Sequence, residues 1–349
     1  MMNLTDLPLG TYNVSTDISD RLKLAMQIWY CLIAIIGVGG NSLTIASILL
    51  NKKLRSIPNV YIASLAFADL VVTGAVAPFT AWQISQRSVS VVACRFIGAL
   101  NTAMLGNTIF NLTAIGVNRY VLIVKGTKTY TRLYTRRNVI ISVIVLWMLP
   151  VFLILPAILG FGEFGFNHMM GACIFVADDT TTYIYVQSIL HGLCVGPCLI
   201  VTLFCYLRII LYFRHTQRQL QKSVSSCSKD SGVKKMADEL EEYELSSGGT
   251  SNNNGGQVVR LKRSRASQRV VMNLCTVFAV FMFCWSPIVG VYTVDFHSVT
   301  PPSVSHIFLA VATMNSCLNI FIYAGMNRAF RKTYKYILTL QCEKINTSL

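Results

Sequence analysis

Five stretches of this 349-residue chain run without Asp, Glu, Lys or Arg for longer than a helix needs to cross a bilayer. They are Leu24 to Asn51, Phe96 to Asn118, Asn138 to Gly162, Thr180 to Leu207 and Val270 to Val294. About 20 residues suffice, because a helix rising 1.5 Å per residue then covers the roughly 30 Å of hydrocarbon. Two further stretches are long enough: about Asn59 to Ile84, interrupted only by Asp69, and about Val304 to Met326, which holds Asn315, Ser316 and Asn319 but no charge. The fold class expected is therefore an all-α membrane protein, a bundle of seven transmembrane helices over about 24–50, 59–84, 95–124, 138–162, 182–213, 268–294 and 304–326. Only 13% of residues are charged and mean hydropathy is +0.53, which excludes an ordinary soluble domain of this size.

An odd number of spans puts the termini on opposite sides, and the placement of Lys and Arg sets the orientation. The first connection carries Lys52, Lys53 and Arg55, and the next on that side carries Lys125, Lys128, Arg132, Arg136 and Arg137. The alternate connections offer only Arg87 and Arg95 before the third span, and no Lys or Arg between Gly162 and Asp179 or between Asp295 and Ser303. Residues 1–23 are accordingly expected outside a plasma membrane and the tail, 327–349, in the cytoplasm. The net charge of +15 then serves anionic inner-leaflet lipid and a cytosolic partner, not nucleic acid. Two glycosylation sequons, at Asn3 and Asn13, fall on the outer side. The segment before the first span lacks the apolar core of a cleaved signal peptide, so the first helix is expected to act as its own signal.

The third cytoplasmic connection, 214–267, changes composition sharply. An acidic block runs from Asp238 to Glu244, Ser, Gly, Thr and Asn fill most of Ser246 to Gly256, and a basic cluster follows from Arg260 to Arg265. Such a segment has no core to bury and is expected to be disordered, with short helical extensions of the flanking spans. Its serines are expected phosphorylation sites. After Tyr323, the residues Phe330, Tyr334, Ile337 and Leu338 recur at spacings of three and four among basic neighbours, the pattern of a short amphipathic helix under the membrane. Cys342 follows it, either acylated or free.

Ionisable groups inside a span are costly and mark function. Asp69 is one, and Thr108, Trp285, Asn315, Ser316 and Asn319 stand at comparable depth on other spans. A carboxylate among hydroxyl and amide oxygens is hard-cation chemistry, so an allosteric sodium ion is expected there, with a hydrogen-bonded or protonated Asp69 as the alternative. Arg119 closes the charge-free run of the third span, where it reaches either intraprotein partners or a docked protein. In the sixth span Pro287 removes a backbone bond and kinks the helix two residues beyond Trp285. Pro156 and Pro197 bend the fourth and fifth spans, widening the outer half of the bundle into the default ligand site. Most of the eleven cysteines lie in spans or cytoplasmic segments; Cys94 and Cys173 meet the oxidising side.

Gly40-Asn41, Leu65 to Asp69, Cys94, Asn118-Arg119-Tyr120, Trp147, Cys173, Pro197, Cys284-Trp285-Ser286-Pro287 and Asn319 to Tyr323 together resemble the signature of rhodopsin-like G-protein-coupled receptors from end to end. That resemblance implies a receptor, not an enzyme. It implies a Cys94–Cys173 disulfide, G-protein coupling through Asn118, Arg119, Tyr120, Tyr206 and Tyr323, and an activation relay through Asn41, Trp285, Pro287, Asn319 and Tyr323. A transporter would carry an internal repeat with interrupted helices, and the chain has none. Arrestin and a receptor kinase are further expected partners.

Within that superfamily the chain is most similar to melatonin receptors. Asn118 stands where most relatives have Asp, and no Pro follows Asn319, two departures that melatonin receptors share. Ile109 to Thr113, Leu133-Tyr134, Phe204 to Ile209 and Asn315 to Asn319 match as well. The similarity implies an inhibitory G protein. It also implies a ligand pocket at Asn101, Ala157, Phe175, Ala177, Gln187, His191 and Trp285. Phe175 matches the aromatic that stacks on the indole, but Ala157 and Ala177 replace the two side-chain amides that hold melatonin, and His191 is displaced by three residues. Melatonin is thus expected to bind poorly. Asn101 replaces the Asp that pairs with monoamines and Thr313 the Lys that bears retinal, leaving a different small apolar ligand or a basic peptide.

Overall fold

The computed structural model describes residues 10–14, 16, 18–176, 182, 195–227, 275–291 and 300–347. Its first helix, α1 (Asp20–Leu50), is capped by Ser19, whose hydroxyl accepts the Leu22 N–H at 3.4 Å. Next comes α2 (Ile57–Gln83), which opens on Pro58 in its first turn. Pro78 has no N–H to offer the turn before it, and there the helix widens into a π segment over Val72–Val76. The third span, α3 (Val91–Tyr120), passes through a π turn, Val121–Lys125, and stops at Gly126 with φ of 86°. After the short α4 (Thr127–Leu133) come α5 (Arg136–Ile158), α6 (Gly196–Cys227), α7 (Cys275–Val291) and α8 (Pro302–Met326), then α9 (Arg328–Leu338) and α10 (Lys344–Thr347).

Residues 214–227 of the third connection continue α6 as helix to Cys227. They contain Arg, Gln, Leu and Lys and neither Gly nor Pro, so nothing local ends the helix. The rest of that connection lies outside the described residues.

Helices α1, α2, α5, α6 and α8 are each long and apolar enough to cross a membrane. The third is not, for a reason its packing makes clear: it touches α2, α5, α6 and the second hairpin strand, and its Asn107, Thr108, Asn111 and Asn118 are all buried. A helix screened from lipid by its neighbours tolerates side chains that a lipid-facing helix cannot. On α5 the reverse holds, with Ile140, Ile144, Met148 and Phe152 exposed. Glycines bring the helices close. A Cβ on Gly37 would lie 2.3 Å from Thr73 Cγ2, and one on Gly40 would lie 2.9 Å from Ile320 Cδ1.

Two small sheets cover the end of the bundle where α1 begins. Strand β1 (Thr11–Asn13) pairs antiparallel with β2 (Ser88–Ser90), and β3 (Glu163–Asn167) pairs antiparallel with β4 (Ala172–Val176). The β3–β4 hairpin is tied to α3 by the Cys94–Cys173 disulfide, and it crosses so near that a Cβ on Gly98 would be 3.1 Å from the Cys173 carbonyl oxygen. Arg95 pairs with Glu163, which also accepts the Tyr12 hydroxyl at 3.1 Å, so all three segments meet in one polar contact. Burial raises the Tyr12 phenol above its ordinary range. At the opposite end α9 lies against α1. Its Thr333 accepts the Asn51 amide at 2.8 Å, Tyr334 and Thr44 hydroxyls meet at 2.9 Å, and Phe330 is fully buried, while Arg328, Arg331 and Lys335 stay exposed.

Candidate functional site

Beneath the β3–β4 hairpin is a cavity of about 170 Å³. Leu105, Ile109 and Phe110 of α3, Pro150 and Leu153 of α5, and Trp285 and Ile288 of α7 form its walls. Met170, Ile174 and Phe175 of the hairpin close it from above. Of the residues expected in a ligand pocket, Asn101, Phe175 and Trp285 line it. Ala157 does not. It is buried in a cluster with Ile154, Phe164 and Phe175, whose two rings meet edge to face at 6.2 Å. Ala177, Gln187 and His191 lie outside the described residues. Met170, Ile174 and Pro150 were not anticipated: a loop's register is not written in its hydropathy, although a second proline inside the fourth span was a usable signal.

From the cavity an aromatic series descends along α7. Trp285 and Phe281 rings are 6.3 Å apart, and one turn further Phe278 meets Tyr206 of α6 at 5.7 Å. Pro287 sits within α7 just above, at the position read as a kink. Phe278, Phe281 and Trp285 follow a spacing of three and four, a signal present in the sequence.

Alongside runs a buried polar layer. Asp69 is wholly buried; its Oδ2 accepts the Asn319 amide at 2.8 Å and the Ser316 hydroxyl bonds the same carboxylate. Its other oxygen, Asn319 Oδ1 and the Tyr323 hydroxyl have no partner among the described residues. Asn41 donates to the Gly37 and Ser316 carbonyls, each at 2.9 Å, which joins α1 to α8. Thr108 and Asn315 are buried too, yet neither is a direct hydrogen-bond partner of Asp69.

At the far end, Asn118 donates to the Tyr130 hydroxyl at 3.4 Å, while Asn118 Oδ1 and Arg119 Nε are buried without partners. The ion pairs among the described residues are Lys23–Asp20 and Arg95–Glu163, so Arg119 is in none. Tyr206 is buried near it, Tyr323 is buried too, and Tyr120 packs on Phe204 at 5.8 Å. An apolar cavity, a polar mid-layer and an unpaired Arg thus occupy successive levels of one helical bundle.

Residues 40–323 match the model of the 7 transmembrane receptor (rhodopsin family). The chain belongs to that family. Squid rhodopsin shares the fold at a TM-score of 0.75, with 18% identity over 93% of this chain and 89% of that one. Among curated relatives, melatonin receptor type 1B-B of Danio rerio is 31% identical over 87% of this chain and 79% of its own length. Melatonin receptor type 1C of Gallus gallus is 29% identical over 88% and 79%. This rhodopsin-family receptor is therefore a multi-pass membrane protein related to melatonin receptors, a signal transducer and not an enzyme. Membership implies an extracellular ligand and a heterotrimeric G protein.

Proposed function

We propose that this receptor binds a small ligand in the cavity at Asn101, Phe175 and Trp285 and, in response, promotes guanine nucleotide exchange on an inhibitory-class heterotrimeric G protein docked at Asn118, Arg119, Tyr120, Tyr206 and Tyr323. The observation that carries it is the continuity of the cavity wall with the α7 aromatic series, Trp285, Phe281 and Phe278, ending on Tyr206 near Arg119. Occupancy acts by shifting a population between two packings, and a ligand does so only through its differential affinity for them. The orientation proposed is cavity outward: the Lys and Arg bias and the disulfide at the α1-start end both support it. Asn13 is exposed on that side, as a glycosylation site requires; Asn3 lies outside the described residues.

A sodium ion fits the polar layer, because Asp69 Oδ1 and Asn319 Oδ1 are buried oxygens with no partner and Thr108, Asn315 and Ser316 are buried on facing spans. Asp69, Thr108, Asn315, Ser316 and Asn319 would hold the ion, which would supply positive charge opposite the carboxylate. Arrestin and a receptor kinase belong to the same proposal, reading the α6–α7 connection and the basic tail.

The test is cAMP in cells expressing the full chain. Agonist lowers cAMP, and pertussis toxin abolishes the effect. An agonist that only raises cAMP, insensitive to the toxin, would show the inhibitory assignment to be wrong.

A further inference from the structure

Pro150 stands inside α5 and lines the cavity. It has no backbone N–H, so the carbonyl four residues earlier, at Leu146, loses its helical donor. The replacement comes from α3, where the Asn107 side-chain amide donates to the Leu146 oxygen at 3.2 Å. The two helices are close there: a Cβ on Gly106, which also lines the cavity, would lie 3.1 Å from the Pro150 ring. Asn107 Oδ1 in turn accepts the side-chain amide of Asn111 at 2.6 Å, and that amide also donates to the Asn107 carbonyl at 2.9 Å. Asn107, Asn111 and Asn118 follow at spacings of four and seven, which puts them on one face of α3, and all three are wholly buried. Asn118 then donates to the Tyr130 hydroxyl of α4 at 3.4 Å, beside Arg119. Buried amides cost free energy unless their hydrogen bonds are made, and the Asn107 donor is matched by the opening that Pro150 leaves.

We propose that Asn107 and Asn111 are positioning residues, which transmit the placement of the cavity's α5 wall down α3 to Asn118 and Arg119. The proposal rests on the reading of this cavity as the receptor's ligand site, and the route is separate from the α7 aromatic series. A ligand that presses on Pro150 moves the Leu146 carbonyl, and the Asn107 amide follows the oxygen it serves. Asn107 Oδ1 moves with its own amide, and Asn111 below must follow or lose its acceptor.

The experiment follows amide hydrogen exchange by mass spectrometry in the purified full-length receptor in lipid nanodiscs, over residues 146–154 of α5 and residues 118–130. It needs neither ligand nor G protein. Asn107→Leu strands the Leu146 carbonyl and unties α3, so exchange rises roughly tenfold in both segments. Pro150→Ala returns an N–H to that carbonyl. In the double variant, exchange over 146–154 therefore stays within about twofold of Pro150→Ala alone, while 118–130 keeps its roughly tenfold rise. Asn111→Leu, which spares the bond to α5, frees 118–130 alone. An equal effect of Asn107→Leu on 146–154 with and without Pro150→Ala overturns the Leu146 assignment. The route is overturned if 118–130 returns to the wild-type rate in the double variant, since the loosening in the single variant is then general destabilisation, or if Asn111→Leu leaves 118–130 unmoved. Should Asn107→Leu fail to fold, the double variant and Asn111→Leu decide by themselves. Wild type that stimulates nucleotide exchange on no G protein while these patterns hold would sink the coupling reading and not the route.

Discussion

Asp69 has one carboxylate oxygen on the Asn319 amide and the other without a partner among the described residues, inside a buried layer. If sodium fills that place and favours the packing that agonist disfavours, the two are linked, with a coupling of roughly 1–3 kcal/mol or about 5- to 150-fold. Raising sodium should therefore weaken agonist binding in wild type and leave Asp69→Asn unmoved; a sodium shift of equal size in the variant would remove the ion from the account. Individual residues of this layer were legible because charge and amides inside a span stand out from an apolar background. The ligand contacts were less so. Ala157 reads by position as a pocket residue, yet it is buried in a cluster with Phe164 and Phe175 and does not line the cavity, which only the loop's path could reveal. Melatonin should bind weakly, because the two side-chain amides of the related receptors are replaced by Ala157 and Ala177. Each missing partner costs about 1–3 kcal/mol, a combined loss of roughly 30-fold to more than 10,000-fold if the terms add. Radioligand titration on membranes checks this, and nanomolar melatonin affinity would refute it. Ala157→Asn alone should not restore binding, since Ala157 does not line the cavity.

Close helix contacts depend on glycines that hydropathy cannot rank. Gly37 and Gly39 look alike in the sequence, but a Cβ on Gly37 would press on Thr73 at 2.3 Å while one on Gly39 meets nothing within 4 Å. Gly37→Ala should cost about 1–3 kcal/mol through overpacking against a stiff β-branched side chain. Gly39→Ala should be neutral or stabilising by up to about 1 kcal/mol from helix propensity. Thermal midpoints of the two purified variants decide this, and equal midpoints would discredit the packing argument. The seven spans themselves were readable because lipid allows few charges, a constraint that acts on composition and needs no knowledge of tertiary contacts. Other features required the fold: the π segment ahead of Pro78 and the pairing of β1 with β2. Strand pairing between segments so far apart in the chain leaves no local periodicity to read.

On the proposed reading, the whole molecule is a switch between two packings, and its resting population depends on what restrains the Arg119 end. In many related receptors an acid beside this Arg holds it in the inactive packing. Here the neighbour is Asn118, bonded to Tyr130 at 3.4 Å, and among the described residues Arg119 has a buried nitrogen with no partner and makes no ion pair. The sequence stretch Arg263 to Arg269 at the base of the sixth span, outside the described residues, contains no acid either. A neutral hydrogen bond is weaker than a charge-assisted one by about a factor of two. A deficit of only ~1.4 kcal/mol multiplies a small active population about tenfold. The receptor should therefore signal without ligand, and Asn118→Asp should lower that signal by restoring a charge beside Arg119. The comparison is basal cAMP suppression in cells matched for surface expression of wild type and variant. Wild-type signalling equal to vector-only cells, unchanged by the substitution, would mean that Tyr130, Tyr206 and neutral contacts restrain the bundle as firmly as an ion pair does.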